Sequence, residues 1–367
     1  MTGAARALLV GTGKVAGDRH LPALAVLEGR LRLVGVCDQD PERAAAVARE
    51  TGTTPYADLD AALEAARPDL VLVATPAGTH ADLVPRCLRA GAWVACEKPA
   101  ARSLAELDVI AAAEKETGNH CSFIYQQRFG STAQLVRRLA ESGDLGPVRL
   151  ALAETLWFRD DDYWHVPWRG GWEREGGGAL FSLGVHALDL ALWLTGERWT
   201  EVTAMAARLD RDIEVDNLSG AIVRLESGGL LHVVTSTLSP DQQSRVRLDY
   251  ADATVDVRHL YTHTNDDWRL HTSTGVLRAA WADRAPDPVS DHAELFAAML
   301  DARERGEAPP CSGEDGRAAF EVVTACYASA LTGRPVARGD VAPGNPYYDR
   351  LDGGLSPWPV PGAGYDG

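Results

Sequence analysis

Five short and almost uninterrupted apolar runs near the start of the chain leave little freedom in how it can fold. They are ALLV (7 to 10), LRLVGVC (31 to 37), LVLVAT (70 to 75), AWVAC (92 to 96) and CSFIY (121 to 125). A strand with one wet face alternates apolar and polar residues, so runs without alternation belong to strands covered on both faces. The stretches between them carry helix punctuation. Asp40 stands at an N-cap position ahead of Pro41, and Gly52 follows the end of that helix. Ser103 and Glu106 make a capping-box pattern, and Gly118 closes the helix that follows. Strand and helix in alternation predict an α/β domain, a doubly wound parallel sheet over residues 1–125.

From residue 126 the texture changes. A helix at Thr132–Glu141 leads into candidate strands at Val148–Leu156, Glu201–Ala207, Ser219–Glu226, Leu230–Leu238, Arg245–Tyr250 and Thr254–Arg258. A long helix at Ala179–Leu194 interrupts them, and amphipathic helices at Asp291–Arg305 and Glu314–Leu331 follow. Meander-spaced strands with helices at either end predict a C-terminal α+β domain over 126–367, built on a large, mostly antiparallel open sheet. The Pro- and Gly-rich stretch from Gly339 reads as a surface wrap.

Charge narrows the function. The 367 residues carry 36 Lys plus Arg against 52 Asp plus Glu, a net −16, which opposes nucleic acid and anionic membrane surfaces as partners. Ala7–Val10 is too brief for a signal-peptide core, and the most apolar stretch contains Ser182, His186 and Asp189, which argues against a membrane span. Six scattered cysteines without a CxxC pair read as free thiols of a reducing cytoplasm.

Three clusters carry chemistry. The first apolar run enters GTGKVA, which contributes Gly11, Thr12, Gly13, Lys14, Val15 and Ala16 at a strand-to-helix turn. Glycine there lets a pyrophosphate approach backbone amides and a helix N-terminus. Asp38, at the end of the second run, stands where a carboxylate binds adenosine ribose hydroxyls and repels a 2′-phosphate, so NAD is favoured over NADP. CEKP places Glu97 and Lys98 at the C-terminal edge of the fourth run, the edge at which open parallel sheets bind ligands. A positively charged nicotinamide beside Lys98 would favour its role as proton acceptor. On the long helix, Ser182, His186, Asp189 and Trp193 fall at four-, three- and four-residue steps along one face. A polar stripe on a helix this apolar must be hydrogen-bonded or line a cavity.

Taken together, these clusters give a chain that resembles the Gfo/Idh/MocA oxidoreductase family, named for glucose-fructose oxidoreductase and inositol dehydrogenase. The likeness also runs through TPAGTH (75 to 80), the RF of YQQRF (125 to 129), GGG with HALD (176 to 189) and EDGRAAFEVVTACYASALTGRPV (314 to 336). The resemblance implies a Rossmann domain, a nicotinamide cofactor, a sugar, polyol or related cyclic substrate held between the domains, and an open sheet that forms a homodimer or homotetramer interface. It makes Lys98 and His186 the acid–base pair and puts Thr75, Pro76, His80 and Gln126 at the cofactor. Members commonly have aspartate four residues before the histidine, where this chain has Ser182. Either Lys98 then carries more of the proton transfer or Asp189 supports His186 from behind.

Upstream, DDYWHVPWRGGW (161 to 172) offers Tyr163, Trp164, Trp168 and Trp172 to stack on sugar C–H faces, with Arg169 and His165 as donors. With Lys98, Ser182 and His186, residues Tyr163, Trp164, Trp168 and Arg169 form the expected substrate site. No metal is expected, because His259, His263, Asp266 and Asp267 match no known ligand spacing. Two alternatives stay open: a glycoside-cleaving enzyme that oxidises its substrate only transiently, and a catalytically silent sensor of dinucleotide or sugar.

Overall fold

Each of the five apolar runs becomes a strand in the computed structural model, which describes residues 3–261, 263–286 and 291–354. The chain divides into two compact units, the first made of the described residues up to Ala101, Glu106–Gln126 and Asp291–Arg317. Its sheet contains β1 (Ala5–Val10), β2 (Leu31–Cys37), β3 (Thr54–Tyr56), β4 (Leu70–Val73), β5 (Trp93–Cys96) and β6 (Cys121–Phe123). All pairings are parallel and the order is β3-β2-β1-β4-β5-β6. Leu8, Leu9, Val71, Leu72, Val94 and Ala95 are fully buried, as covering on both faces requires. Strand order reverses between β2 and β4 on either side of β1, which opens a crevice at their C-terminal ends. The three-residue β3 has no apolar run to announce it, and as an edge strand it tolerates Pro55.

Helix punctuation behaves as its chemistry dictates. The Asp40 carboxylate accepts from the amides of Glu42 at 3.0 Å and Arg43 at 3.2 Å, and Gly52 ends the helix Pro41–Thr51 in the left-handed conformation with φ +67°. The helix His292–Arg305 belongs to this first unit, whereas a single boundary after residue 125 leaves it in the second. His292, Leu295, Phe296 and Met299 lie on one helical face and are all buried, so the segment is held by packing that its distant sequence position does not reveal. Past it, the Ser122 hydroxyl donates to Pro310 O at 2.7 Å and the Phe123 amide to Cys311 O at 2.9 Å, which covers β6.

The second unit holds Arg102–Ala105, the described residues of 127–290 and those from Ala318 onward. Its eight strands are β7 (Val148–Phe158), β8 (Trp199–Ala207), β9 (Leu218–Leu225), β10 (Leu230–Ser236), β11 (Leu238–Tyr250), β12 (Thr254–Arg258), β13 (Trp268–His271) and β14 (Val336–Ala337). The order is β13-β12-β11-β7-β10-β9-β8-β14, and only β7 with β10 is parallel. The run read as Leu230–Leu238 breaks at Thr237, and β11 then absorbs the stretch Arg245–Tyr250. One face of the sheet receives helices: the Ser329 hydroxyl accepts the Ala204 amide at 2.9 Å, and Tyr250 donates to Leu194 O at 2.7 Å. The other face is open, with Met205 at 80%, Ile222 at 46% and Val234 at 37% exposure on three adjacent strands.

The helix expected at Ala179–Leu194 is not one α-helix. A π-helical turn at Leu180–Gly184 precedes an α-helix at Val185–Thr195. Gly184 lies against β10 so closely that a Cβ there would stand 2.4 Å from Thr235 Oγ1. Of the Gly339 stretch, Tyr347 and Tyr348 are buried, so its first part is packed, and residues 355–367 lie outside the described residues. Among the described residues no helix is long and apolar enough to cross a membrane.

Candidate functional site

The glycine turn sits at the end of β1 with the geometry its sequence requires. Gly11 has φ +90°, and a Cβ there would lie 2.7 Å from Ala74 O and 2.8 Å from Thr75 Cγ2. Only glycine fits. A Cβ on Gly13 would meet nothing within 4 Å, so the turn offers open space beside its backbone. Lys14 is exposed and pairs with Asp18 at 2.8 Å, Val15 is half-buried, and Ala16 is fully buried where the next turn packs onto the sheet. Thr12 donates its amide and its hydroxyl to Asp38 Oδ2, each at 2.8 Å. Asp38 Oδ1 accepts the Asp40 amide at 2.9 Å and an Arg43 nitrogen at 3.3 Å. Burial alone would raise this carboxyl, but the Asp40 and Thr12 amides, the Thr12 hydroxyl and Arg43 outweigh it and hold it below the usual range. A tight turn, free space at Gly13 and an ionised acid one strand away fit a dinucleotide.

The next two clusters turn partly inward. Thr75 and Thr79 share a hydroxyl hydrogen bond at 2.7 Å, and Pro76 is extended ahead of a short 3₁₀ turn. His80 is fully buried beneath that turn, with Nε2 2.9 Å from Thr75 O and Nδ1 3.2 Å from Ala100 O. Burial opposes its protonation, yet Cys96 and the two carbonyls prevail and lift it to about 9. His80 therefore bolts the loop down from below. Glu97 likewise faces the interior: its Oε1 meets His20 Nε2 at 3.1 Å and His292 Nε2 at 3.0 Å, and its Oε2 accepts the Lys98 amide at 3.2 Å. His292 Nδ1 lies 3.1 Å from Asp291 Oδ1. Burial would raise Glu97, but the two histidines hold it well below its ordinary value. Ligand atoms of His20, Glu97 and His292 lie within 4.8 Å of one another, a spacing a cation could use, although one carboxylate oxygen already joins both rings. Nothing in local spacing reveals His292 as a partner of Glu97, 195 residues away. Lys98 is half-buried and precedes Pro99 through a cis peptide, and Gln126 is buried.

In the second unit the long helix is buried on every side, and His186 is 2% exposed. Its ring packs edge-on to Tyr261 at 5.2 Å between centroids. Asp189 is gripped by Arg128, Nε to Oδ2 at 2.8 Å and Nη2 to Oδ1 at 2.5 Å, so its charge is neutralised by a buried guanidinium. Ser182 donates to Glu175 Oε1 at 2.7 Å. Glu175 is 3% exposed, takes an Arg169 nitrogen at 3.2 Å on the same oxygen, and accepts the Gly170 amide at 2.7 Å on the other. Arg169 also donates to the Tyr163 hydroxyl and stacks over the Tyr163 and Trp168 rings at 3.9 and 4.2 Å. Trp164 packs edge-on to Tyr163 at 5.0 Å. Tyr163, Arg169 and Ser182 thus meet around Glu175, which the motifs did not single out.

The GGG turn ahead of this helix is shaped by Asp216. A Cβ on Gly178 would stand 2.0 Å from Asp216 O, and Asp216 Oδ1 accepts from the Gly178 amide and the Tyr327 hydroxyl. Around residue 260, His263 bonds Gln127 O at 3.1 Å and accepts from Trp268 at 3.1 Å, while Asp267 caps Thr264, so both serve the local fold.

With this geometry in view, known proteins resemble the chain over nearly its full length. Residues 5–125 match the model of an oxidoreductase family with an NAD-binding Rossmann fold, and residues 133–256 match the GFO/IDH/MocA C-terminal domain. Inositol 2-dehydrogenase 1 of Saccharopolyspora erythraea is 31% identical over 349 residues, covering 89% of this chain and 94% of that protein. D-glucoside 3-dehydrogenase of Escherichia coli K12 is 27% identical, with 90% and 97% covered. The solved WlbA dehydrogenase of Bordetella pertussis, in complex with NADH and UDP-GlcNAcA, is 26% identical with a TM-score of 0.81, covering 91% of this chain and 98% of that one.

Proposed function

The chain belongs to the Gfo/Idh/MocA family of NAD-binding oxidoreductases, and we propose that it moves a hydride between NAD and a secondary alcohol or ketone carbon of a sugar, polyol or related cyclic substrate. The reading is carried by its full-length likeness to dehydrogenases that the named relatives place on inositol and a glucoside. Those relatives favour net hydride transfer over transient oxidation or silent sensing.

Roles follow from chemistry. Bound at the glycine turn, the dinucleotide supplies a hydride acceptor. Gly11 to Ala16 would receive its pyrophosphate and Asp38 its ribose hydroxyls, with Thr75, Pro76 and Gln126 as further contacts. The ionised Asp38 repels a 2′-phosphate, and Arg43 is already held by Asp38 and Asp40, which supports NAD over NADP. Lys98 and His186 handle the proton of the reacting hydroxyl. Tyr163, Trp164, Trp168 and Arg169 contribute a cation stacked among aromatic rings, suited to a sugar face. The open sheet face with Met205, Ile222 and Val234 suits a homo-oligomer interface. Six buried free cysteines are consistent with a cytoplasmic enzyme.

The test is NADH formation by purified protein across sugars, inositols and their keto forms, with NADP supplied in parallel. Lys98→Met should preserve NADH binding, read by fluorescence titration, and lower kcat about a hundredfold. Near-normal turnover in that variant overturns the role of Lys98, and silence of the wild type with every substrate overturns the dehydrogenase reading.

A further inference from the structure

The helix that carries His186 has a serine where proton chemistry would be served by a carboxylate, and the fold brings one to that serine from outside the helix. Ser182 Oγ donates to Glu175 Oε1 at 2.7 Å, and both residues are buried, at 7% and 3% exposure. A hydroxyl has one proton and two lone pairs, so a serine that donates to Glu175 presents only acceptor capacity to any other group. It can take a proton on one side while it releases its own on the other.

We propose that Ser182 and Glu175 form the proton exit of the dehydrogenase reaction, with Glu175 as the final acceptor. The inference rests on the hydride-transfer reading above. As the C–H bond breaks and its electron pair reduces NAD to NADH, the substrate hydroxyl loses its proton and the carbon–oxygen bond becomes a carbonyl. That proton, taken by way of His186 on the same stretch, passes to Ser182 Oγ while the serine proton moves to Glu175. The alcohol has become a ketone, NAD has become NADH, and a carboxylate has become a carboxylic acid. Run in reverse, Glu175 returns the proton to a ketone under reduction.

The surroundings of Glu175 suit a group that changes its charge. Its Oε2 is fixed by the Gly170 amide at 2.7 Å, so the side chain stays in place in either state. Desolvation raises its proton affinity, Arg169, Ser182 and the Gly170 amide oppose this, the buried Asp216 reinforces it, and the outcome lies above the ordinary glutamate value. Arg169 cannot itself give up a proton, and its stacking on Tyr163 and Trp168 keeps the cation beside the carboxylate whether Glu175 is charged or neutral. Asp189, the other acid on this stretch, is bound at both oxygens by Arg128 and is a poorer acceptor.

The experiment compares wild type, Glu175→Gln, Ser182→Ala and the double variant Glu175→Gln with Ser182→Asp, using a substrate found in the panel above. Glu175→Gln and Ser182→Ala should each lower kcat by roughly 10²-fold, the scale of general acid–base catalysis, with NADH affinity by fluorescence titration unchanged. The fall of kcat/KM on the acidic side, where Glu175 becomes protonated, should disappear in Glu175→Gln. Ser182→Asp should restore most of the rate in the Glu175→Gln background, because it puts a carboxylate at the end of the relay. Wild-type kcat and pH profile in both single variants would overturn the relay while leaving the dehydrogenase reading intact. A loss in Glu175→Gln that Ser182→Asp does not restore would also overturn it, reducing Glu175 to support for the Gly170 loop. A wild type inactive on the whole panel overturns the underlying reading, and the relay with it.

Discussion

Replacing His292 by leucine strips one of three donors from the Glu97 carboxylate, leaving His20 Nε2 at 3.1 Å and the Lys98 amide at 3.2 Å. Glu97 is 5% exposed, so water cannot take the vacated place cheaply. A hydrogen bond to a charged group contributes about 1.5–3 kcal/mol. For a unit of this size each kcal/mol moves the melting midpoint by about 2–4 °C, so His292→Leu should lower it by roughly 3–12 °C near pH 6. The pH dependence is sharper evidence than the size. Burial weakens the proton affinity of His292, but Asp291 and Glu97 outweigh it and raise the group above its ordinary 6.5. Its share of stability is complete below about 6.5 and is lost as pH climbs through the raised folded value. Glu97 has the opposite sign: held well below 4.5, its share is present above that value and is lost as pH falls through the folded one. His20 is depressed, by burial first, so its share is present above 6.5 and lost as pH falls through its folded value, and the substitution leaves that ring in place. Scanning calorimetry of both proteins from about pH 6 to pH 9 should show the gap between them narrowing. A gap that stays constant or widens with pH, or a penalty under about 1 °C at pH 6, would refute the charged-histidine reading.

Gly11→Ala forces a methyl to 2.7 Å from Ala74 O at φ +90°, and should weaken NADH binding at least tenfold, about 1.4 kcal/mol, in a fluorescence titration. Asp189→Asn removes the carboxylate that pairs the 3%-exposed Arg128, and should cost about 3–5 kcal/mol in denaturant unfolding. Asp189→Leu combined with Arg128→Met should recover most of that loss.

Local pattern made the first sheet legible, because a strand covered on both faces must be apolar throughout. LRLVGVC yields β2 at Leu31–Cys37 with the same ends, while β3 at Thr54–Tyr56 has only an edge position to define it. The second sheet was legible as a class, but a one-residue break at Thr237 between β10 and β11 leaves no trace in hydropathy. Motifs with a backbone cause also carried through: Gly11 needs its positive φ, and Asp38 meets Thr12 because consecutive parallel strands end side by side.

What pattern could not supply was the direction in which polar side chains turn. Glu97 and His80 stand in stretches that end at the ligand edge of the sheet, yet both point into the protein, one to two histidines and the other to two carbonyls. Helical spacing put Ser182, His186 and Asp189 on one stripe, but the π-helical turn at Leu180–Gly184 falls between the GGG turn and His186, and Ser182 and Asp189 each bond to a residue off the helix while the His186 ring packs on Tyr261. Asp189 goes to Arg128, and Ser182 goes to Glu175 in the preceding loop. A buried polar group must find a hydrogen-bond partner, and the nearest one in space need not lie on its own element. The serine that looks like the loss of a carboxylate in the sequence is, in the fold, its point of attachment.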